Sequence, residues 1–339
     1  MLARLLLASL LLTGCFGATG YEGPISDHFD GEEFVNQEPP AQLGLGAVLE
    51  WFTSRDQGYW PEWVDAEPGP PPPPKVRMGD LRVTLIGHAT TLVQVDGLNV
   101  LTDPVYVYRP TPVKGLGPAR VRPPGIRFRD LPNIDVVVIS HNHYDHLDLP
   151  TLRWLQRVHQ PRFFVGLGNE AVLREGGIWR VEELDWWDER KVGPIDIVSV
   201  PAHHFAGRSV EDGNNTLWTG WVMRSMHGPV YFAGDTGMGK HFAQIRERFG
   251  PPRLAILPIG AYLPRWFMSP IHIDPAQAVE AHQILGARQS LGMHYDTFPL
   301  SDEAFGQAPK DLHRALADQN VDAHAFWTLA FGEGRYVGK

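Results

Sequence analysis

Asp135-Val-Val-Val-Ile-Ser-His-Asn-His-Tyr-Asp-His-Leu-Asp148 joins a short apolar run to four potential metal ligands, His141, His143, Asp145 and His146. The run Asp135–Ile139 has the length and β-branched content of a buried strand, so the cluster sits on the loop leaving that strand's carboxyl end. Ligands of α/β sheets gather at such ends. Three imidazoles and a carboxylate within six positions suit zinc or a similar borderline metal. From an extended loop, His141 and His143 can point one way while Asp145 and His146 point another, which leaves room for two metals and calls for further ligands from later strand ends.

Three segments offer them. Pro201-Ala-His-His204 follows the strand-like Ile195–Val200, Ala233-Gly-Asp-Thr236 follows Val230-Tyr-Phe232, and Gly292-Met-His294 ends a short apolar stretch. Each alone reads first as a structural histidine or a turn aspartate. Together with the main cluster they make a strand-end metal site.

The pattern His-x-His-x-Asp-His followed by a His, an Asp and a His on successive strand ends resembles the metallo-β-lactamase superfamily. Leu85-Ile-Gly-His-Ala-Thr-Thr91, Leu101-Thr-Asp-Pro104, Phe232-Ala-Gly-Asp-Thr236 and Pro258-Ile-Gly-Ala-Tyr-Leu-Pro-Arg-Trp-Phe-Met268 are similar to its N-acyl-phosphatidylethanolamine-hydrolysing phospholipase D branch and bacterial relatives. The similarity runs from about Ser26 to the C-terminus. It implies a four-layer αββα sandwich of two similar halves, although no sequence repeat reveals those halves. It implies two divalent metal ions, zinc being favoured: one held by His141, His143 and His204, the other by Asp145, His146 and His294. Asp235 would bridge them together with a water or hydroxide. His203 and His204 are adjacent, and adjacent extended residues face opposite ways, so only one of the pair reaches the site; the second position fits the family pattern and selects His204. The metal is open among zinc, iron and manganese, since no thiolate is present to discriminate.

Other residues take roles around this centre. Asp103 is expected to accept a hydrogen bond from a ligand histidine, as metal-bound imidazoles usually donate their second N–H to a carboxylate or carbonyl. His88 either does the same or faces the substrate. His272, just before the helical segment Pro275–Leu285 and its N-cap Asp274, borders the metals in the resembling branch and would contact a substrate phosphate or assist the leaving group. Arg265 is a phosphate contact or half of a salt bridge. Tyr262 and Tyr144 lie near the site or pack its rim. His28, His159, His227, His241, His282, His313 and His324 have no partners at useful spacing and read as structural or surface residues. A second helical segment spans Pro150–His159.

Length and charge narrow the function. The 339 residues, 43% hydrophobic, can bury a large core, and a net charge of −9 without a long Lys or Arg run makes nucleic acid an unexpected partner. Met1-Leu-Ala-Arg4, the apolar Leu5–Leu12 and the lipobox-like Leu12-Thr-Gly-Cys15 read as a bacterial lipoprotein signal over residues 1–15, with Cys15, the single cysteine, lipidated and the mature chain held at the cell envelope, periplasm-facing or on the surface. Residues 16–78 form a Pro-, Gly- and aromatic-rich extension, with Trp51, Phe52, Tyr59, Trp60 and Trp63, ending in the stiff spacer Pro70–Pro74; it lines a lipid-facing groove or staples itself to the catalytic domain at 79–339.

The resemblance implies a phosphodiesterase of phospholipase D type. Two dications bring a bridging water to hydroxide near neutral pH, and that hydroxide attacks phosphorus while the metals neutralise the growing charge. The substrate is a phospholipid or another small phosphodiester, and a homodimer is compatible with the branch. The alternatives are a lactonase, esterase or β-lactamase-like hydrolase of the same fold, and a non-catalytic zinc-binding surface lipoprotein.

Overall fold

The structure is a computed structural model describing residues 20–39, 44–113, 115–209 and 211–338; Cys15 and the signal-like segment lie outside the described residues. Strands β1 (Leu81–Gly87), β2 (Thr90–Val95) and β3 (Leu98–Thr102) form an antiparallel meander, continued in parallel by β4 (Val136–Val138), β5 (Arg162–Gly166) and β6 (Val181–Leu184). A second sheet begins with antiparallel β7 (Glu189–Val192), β8 (Ile195–Val200), β9 (Gly220–Arg224) and β10 (Val230–Phe232). It continues in parallel with β11 (Leu254–Pro258), β12 (Ser290–Met293) and β13 (Phe326–Trp327), while β14 (Gly334–Tyr336) crosses back to pair with β1. Each sheet thus has seven strands, and each passes from a meander to a parallel run. These are the two similar halves.

The strands read as continuous apolar runs because both of their faces are covered. Alternation sorts the side chains: Val100, Val136, Val138 and Phe164 enter the core shared with the second sheet, beside Val200, Trp221 and Tyr231. Their neighbours Leu101, Val137, Phe163 and Val165 turn outward. There they meet Leu152, Leu155, Val172 and Leu173, carried by the helices that cover the first sheet. In chain order the helices are α1 (Leu45–Ser54), α2 (Leu149–Val158), α3 (Asn169–Glu175), α4 (His241–Phe249), α5 (Arg265–Met268), α6 (Pro275–Leu285) and α7 (Gln307–Asp318). Phe242, Ile245, Val279, Leu285, Leu312 and Leu316 pack α4, α6 and α7 on the second sheet, completing an αββα sandwich. Helix α6 begins with a full capping box between Asp274 and Gln277 and carries Pro275 at its first position, which satisfies amides that the helix leaves free.

The N-terminal extension packs into this body. Phe29 and Phe34 are fully buried with Trp186, Ala202, Ala206, Leu217 and Trp218. Trp51 stacks on Phe267 at 5.0 Å, and the Trp60 indole donates to the Glu303 carbonyl. The proline spacer is docked as well: the carbonyls of Pro73 and Pro74 accept from the side chains of Gln94 and Asn99.

His28 fastens the extension. Its ring stacks on Trp186 at 4.4 Å, with Nε2 2.7 Å from Asp185 and Nδ1 2.6 Å from Asp27. Burial opposes the charged ring, but the hydrogen bonds to Asp185 and Asp27 outweigh it and raise the pKa. A raised value means stabilisation that is fully present below the unfolded value of about 6.5 and is lost as pH climbs through the folded-state value. Thermal midpoints measured from about pH 6 to about pH 9 should therefore fall more steeply for the native chain than for His28→Gln. Parallel curves would show that His28 contributes nothing to the pH dependence.

Candidate metal centre

The ligand loop starts where β4 ends, and its start is set by Asp103, just beyond β3. The buried Asp103 carboxylate accepts from the Ser140 N–H at 2.7 Å, the Ser140 hydroxyl at 2.6 Å and His146 Nδ1 at 2.7 Å. Those three bonds draw the backbone out of the strand ladder at Ser140. They also leave His146 Nε2 free to face inward, the second-partner arrangement of metal-binding imidazoles.

Ligand atoms converge in four overlapping groups, two of which share Asp235: His141, His146 and Asp235, and His204, Asp235 and His272. The other two are His141, His143 and His204, and His88, Asp145, His146 and His294, the ligand atoms of each group lying within 4.8 Å of one another. Asp235, at the end of β10, stands between the latter two: its Oδ2 is 3.1 Å from both His146 Nε2 and His294 Nε2, 3.9 Å from His204 Nε2 and 4.0 Å from His272 Nδ1. The residues that the resemblance implies as ligands are thus all brought together, with Asp235 between these two groups. His204, not His203, turns into the cluster. His203 lines an open cleft with Glu38, Met238, Lys240, Ser269 and Pro270.

The donor set fits a divalent cation. His141 Nε2 faces His143 Nδ1 at 2.7 Å, and His146 Nε2 faces His294 Nε2 at 3.2 Å. Within the cluster, His204 Nε2, Asp235 Oδ1 and His272 Nδ1 are buried without a hydrogen-bond partner among the described residues. Buried polar atoms are normally paired, and lone pairs pointed at each other are best reconciled by a shared cation. Two of the outer ring nitrogens are engaged: His204 Nδ1 donates to the Ile271 carbonyl at 3.0 Å, and His141 Nδ1 lies 2.9 Å from the Ser140 hydroxyl.

The electrostatics divide the imidazoles. Burial pushes His143 and His204 down to about 3 and His272 down to about 4, so these rings are neutral and ready to act as ligands or bases. Burial would also depress His294, but the Asp235 and Asp145 carboxylates override it and push it up to about 9. Burial works against ionisation of Asp235 too, and the charges of His146 and His294 hold it well below the usual carboxylate range.

His88 joins the group of Asp145, His146 and His294, its Nε2 2.9 Å from Asp145 Oδ2 and its ring 3.9 Å from that of His294. Arg265 takes the salt-bridge alternative. It pairs with Asp274 at 3.2 Å and donates to the carbonyls of Tyr262 and His272 and to Gln277, bracing the loop that carries His272. The Tyr262 hydroxyl is bonded to Asp311 on α7. Tyr144 packs under the Arg208 guanidinium, 3.8 Å from its ring. Arg208 and His241 carried no sequence signal of their own. Arg208 donates to the carbonyls of Asn142 and Leu147, clamping both ends of the ligand loop, and His241 Nε2 lies 3.2 Å from the hydroxyl of Thr236, next to Asp235.

The orientation of the histidine pair is open to a direct test by chelator competition. His204→Ala should weaken metal binding by at least the ~10–100-fold that loss of an outer partner already costs. His203→Ala should stay close to the native affinity, and the reverse ranking would transfer the ligand role to His203.

Residues 98–295, more than half of the chain, match the beta-lactamase superfamily domain. The chain is 38% identical over 266 residues to the N-acyl-phosphatidylethanolamine-hydrolyzing phospholipase D 1 of Caenorhabditis elegans, with 75% of each chain covered. It is 31% identical over 246 residues to a metal-dependent hydrolase of Methanopyrus kandleri, covering 71% of this chain and 94% of that one. Among solved structures, the metallo hydrolase Igni18 of Ignicoccus hospitalis is similar with a TM-score of 0.59 and 23% identity over 77% of this chain and 99% of that chain, a likeness of fold. The ligand loop, His204, Asp235 and His294 all fall inside the matched span, and the chain belongs to the beta-lactamase superfamily, among its metal-dependent hydrolases.

Proposed function

We propose that this protein is a phosphodiesterase of phospholipase D type, acting on N-acyl-phosphatidylethanolamine or a related phospholipid with two divalent metals, zinc being favoured. The observation that carries the reading is the 38% identity to the worm phospholipase over three quarters of both chains. The surface beside the centre supports a lipid. Phe205 is 39% exposed while its ring lies 4.4 Å from that of His143. Trp266 is exposed on α5 next to Phe267, and Trp51 stacks on Phe267, which brings α1 with its exposed Leu49 and Phe52 to the same region. Exposed apolar side chains grouped near a catalytic centre suit an acyl chain or a bilayer surface better than a small polar substrate. Lipidation at Cys15, a cell-envelope location and a homodimer belong to the same proposal; no helix among the described residues is long and apolar enough to cross a membrane.

Two cations held by this donor set would supply a nucleophile from water at neutral pH and neutralise charge on the phosphoryl oxygens. The protein's own part is orientation and proton traffic. Asp103 fixes the His146 ring, His88 fixes the Asp145 carboxylate, and Asp235 lies between the two ligand sets. In the hydrolysis, the water oxygen bonds to phosphorus as the bond to the head-group oxygen breaks, and one proton must pass to that leaving oxygen. That proton comes from water or through His272, which is buried and neutral with Nδ1 unpaired and so is not a resident acid but can relay one.

Zinc-loaded protein incubated with mixed phosphatidylethanolamine and N-acyl-phosphatidylethanolamine should release phosphatidic acid, read by mass spectrometry. Asp235→Ala should lower turnover by ~10³-fold or more with the fold intact, because it removes the group shared by both ligand sets. Intact lipids in the presence of fully metal-loaded protein would reject this substrate class and turn the reading to lactones, esters or β-lactams.

A further inference from the structure

His204 sits four residues beyond the last paired residue of β8, where Val200 faces Gly220, and among the described residues no strand neighbour supports its backbone. Its support comes from the N-terminal extension. The Asn36 side chain, 168 positions earlier, donates from Nδ2 to the His204 carbonyl at 2.7 Å and accepts the His204 N–H on Oδ1 at 3.0 Å. Oδ1 also accepts the Trp218 indole N–H at 3.0 Å. An amide oxygen receiving two N–H donors and an amide nitrogen facing a carbonyl fix which end of the carboxamide is which. Both backbone polar groups of His204 are therefore met by one side chain, as a strand partner would meet them.

The extension is itself anchored on both sides of Asn36. Phe34 is fully buried and its N–H bonds to the Asn214 carbonyl at 2.8 Å; Glu38 accepts the Lys240 N–H at 2.9 Å. With the backbone held by Asn36 and Nδ1 held by the Ile271 carbonyl, the His204 ring has one nitrogen left, and it points into the metal cluster. Asn36 lies outside residues 98–295, the span that matches the superfamily domain.

We propose that Asn36 is a positioning residue for the metal centre, by which the N-terminal extension supplies the backbone support that β8 no longer gives to His204. The inference rests on His204 being a ligand, so His204→Ala is measured beside it. The experiment uses the full chain and reads three quantities for the native protein, Asn36→Ala and Asn36→Asp: thermal midpoint without metal, metal affinity by chelator competition, and the visible absorption bands of the cobalt(II)-loaded protein. Asn36→Asp keeps the acceptor for His204 N–H and Trp218 but loses the donor to the His204 carbonyl.

Asn36→Ala should bind metal ~10–100-fold more weakly, the usual cost of losing an outer partner, with shifted cobalt bands and a nearly unchanged metal-free midpoint. Asn36→Asp should fall between it and the native chain. A role in general stability alone would lower the midpoint and leave affinity and bands as they were, which overturns the proposal. If Asn36→Ala does not fold, Asn36→Asp decides on the same criteria: weaker binding with shifted bands supports the proposal, and native values overturn it. Native metal binding by His204→Ala would instead refute the ligand assignment, an outcome distinct from native binding by the Asn36 variants alone.

Discussion

A single buried carboxylate governs the centre. Placing Asp103 out of water is costly unless its oxygens are filled, and the Ser140 N–H, the Ser140 hydroxyl and His146 Nδ1 fill them. The strand end, the exit angle of the ligand loop and the orientation of one ligand ring become parts of one hydrogen-bonded unit. His141 and Asp145 lie on the same loop, so their directions follow, and Arg208 closes the loop from the far side through the carbonyls of Asn142 and Leu147.

The other half of the centre belongs to the second sheet. His204, Asp235 and His294 leave the ends of β8, β10 and β12, and they meet the ligand loop only because Val136, Val138 and Phe164 pack against Val200, Trp221 and Tyr231. Site formation and core formation are thus one event. Without metal, the carboxylates of Asp235 and Asp145 keep His294 and His146 protonated, so metal entry must displace protons as well as fill the site. The neutral rings of His143, His204 and His272 offer no such competition.

The N-terminal extension links the centre to the surface on which a lipid substrate would arrive. Its first part carries Phe29, Phe34 and Asn36 to the wall behind His204, and its second part lays Trp51 on Phe267 beside α5. The aromatics that read from sequence as either a groove lining or a staple divide between the roles: Trp51 and Trp60 pack, while Phe52 and Tyr59 stay exposed.

The sequence by itself determined where the candidate ligand loop lies, and its resemblance to a family implied the fold class and the remaining ligands. A β-branched run followed by three imidazoles and a carboxylate is a local pattern, and local spacing is what strand periodicity and metal chemistry act upon. The N-cap Asp274 was legible for the same reason, and the structure adds Gln277, one turn on, to complete a capping box. Other assignments waited for the tertiary structure: the inward turn of His204, the commitment of Arg265 to Asp274, the pairing of His88 with Asp145, and the support of His204 by Asn36. Each joins elements from different parts of the fold or selects one of several partners that a side chain could reach. Chain spacing carries no signal for such contacts, because only the packing of the two sheets decides which polar groups are left to satisfy one another.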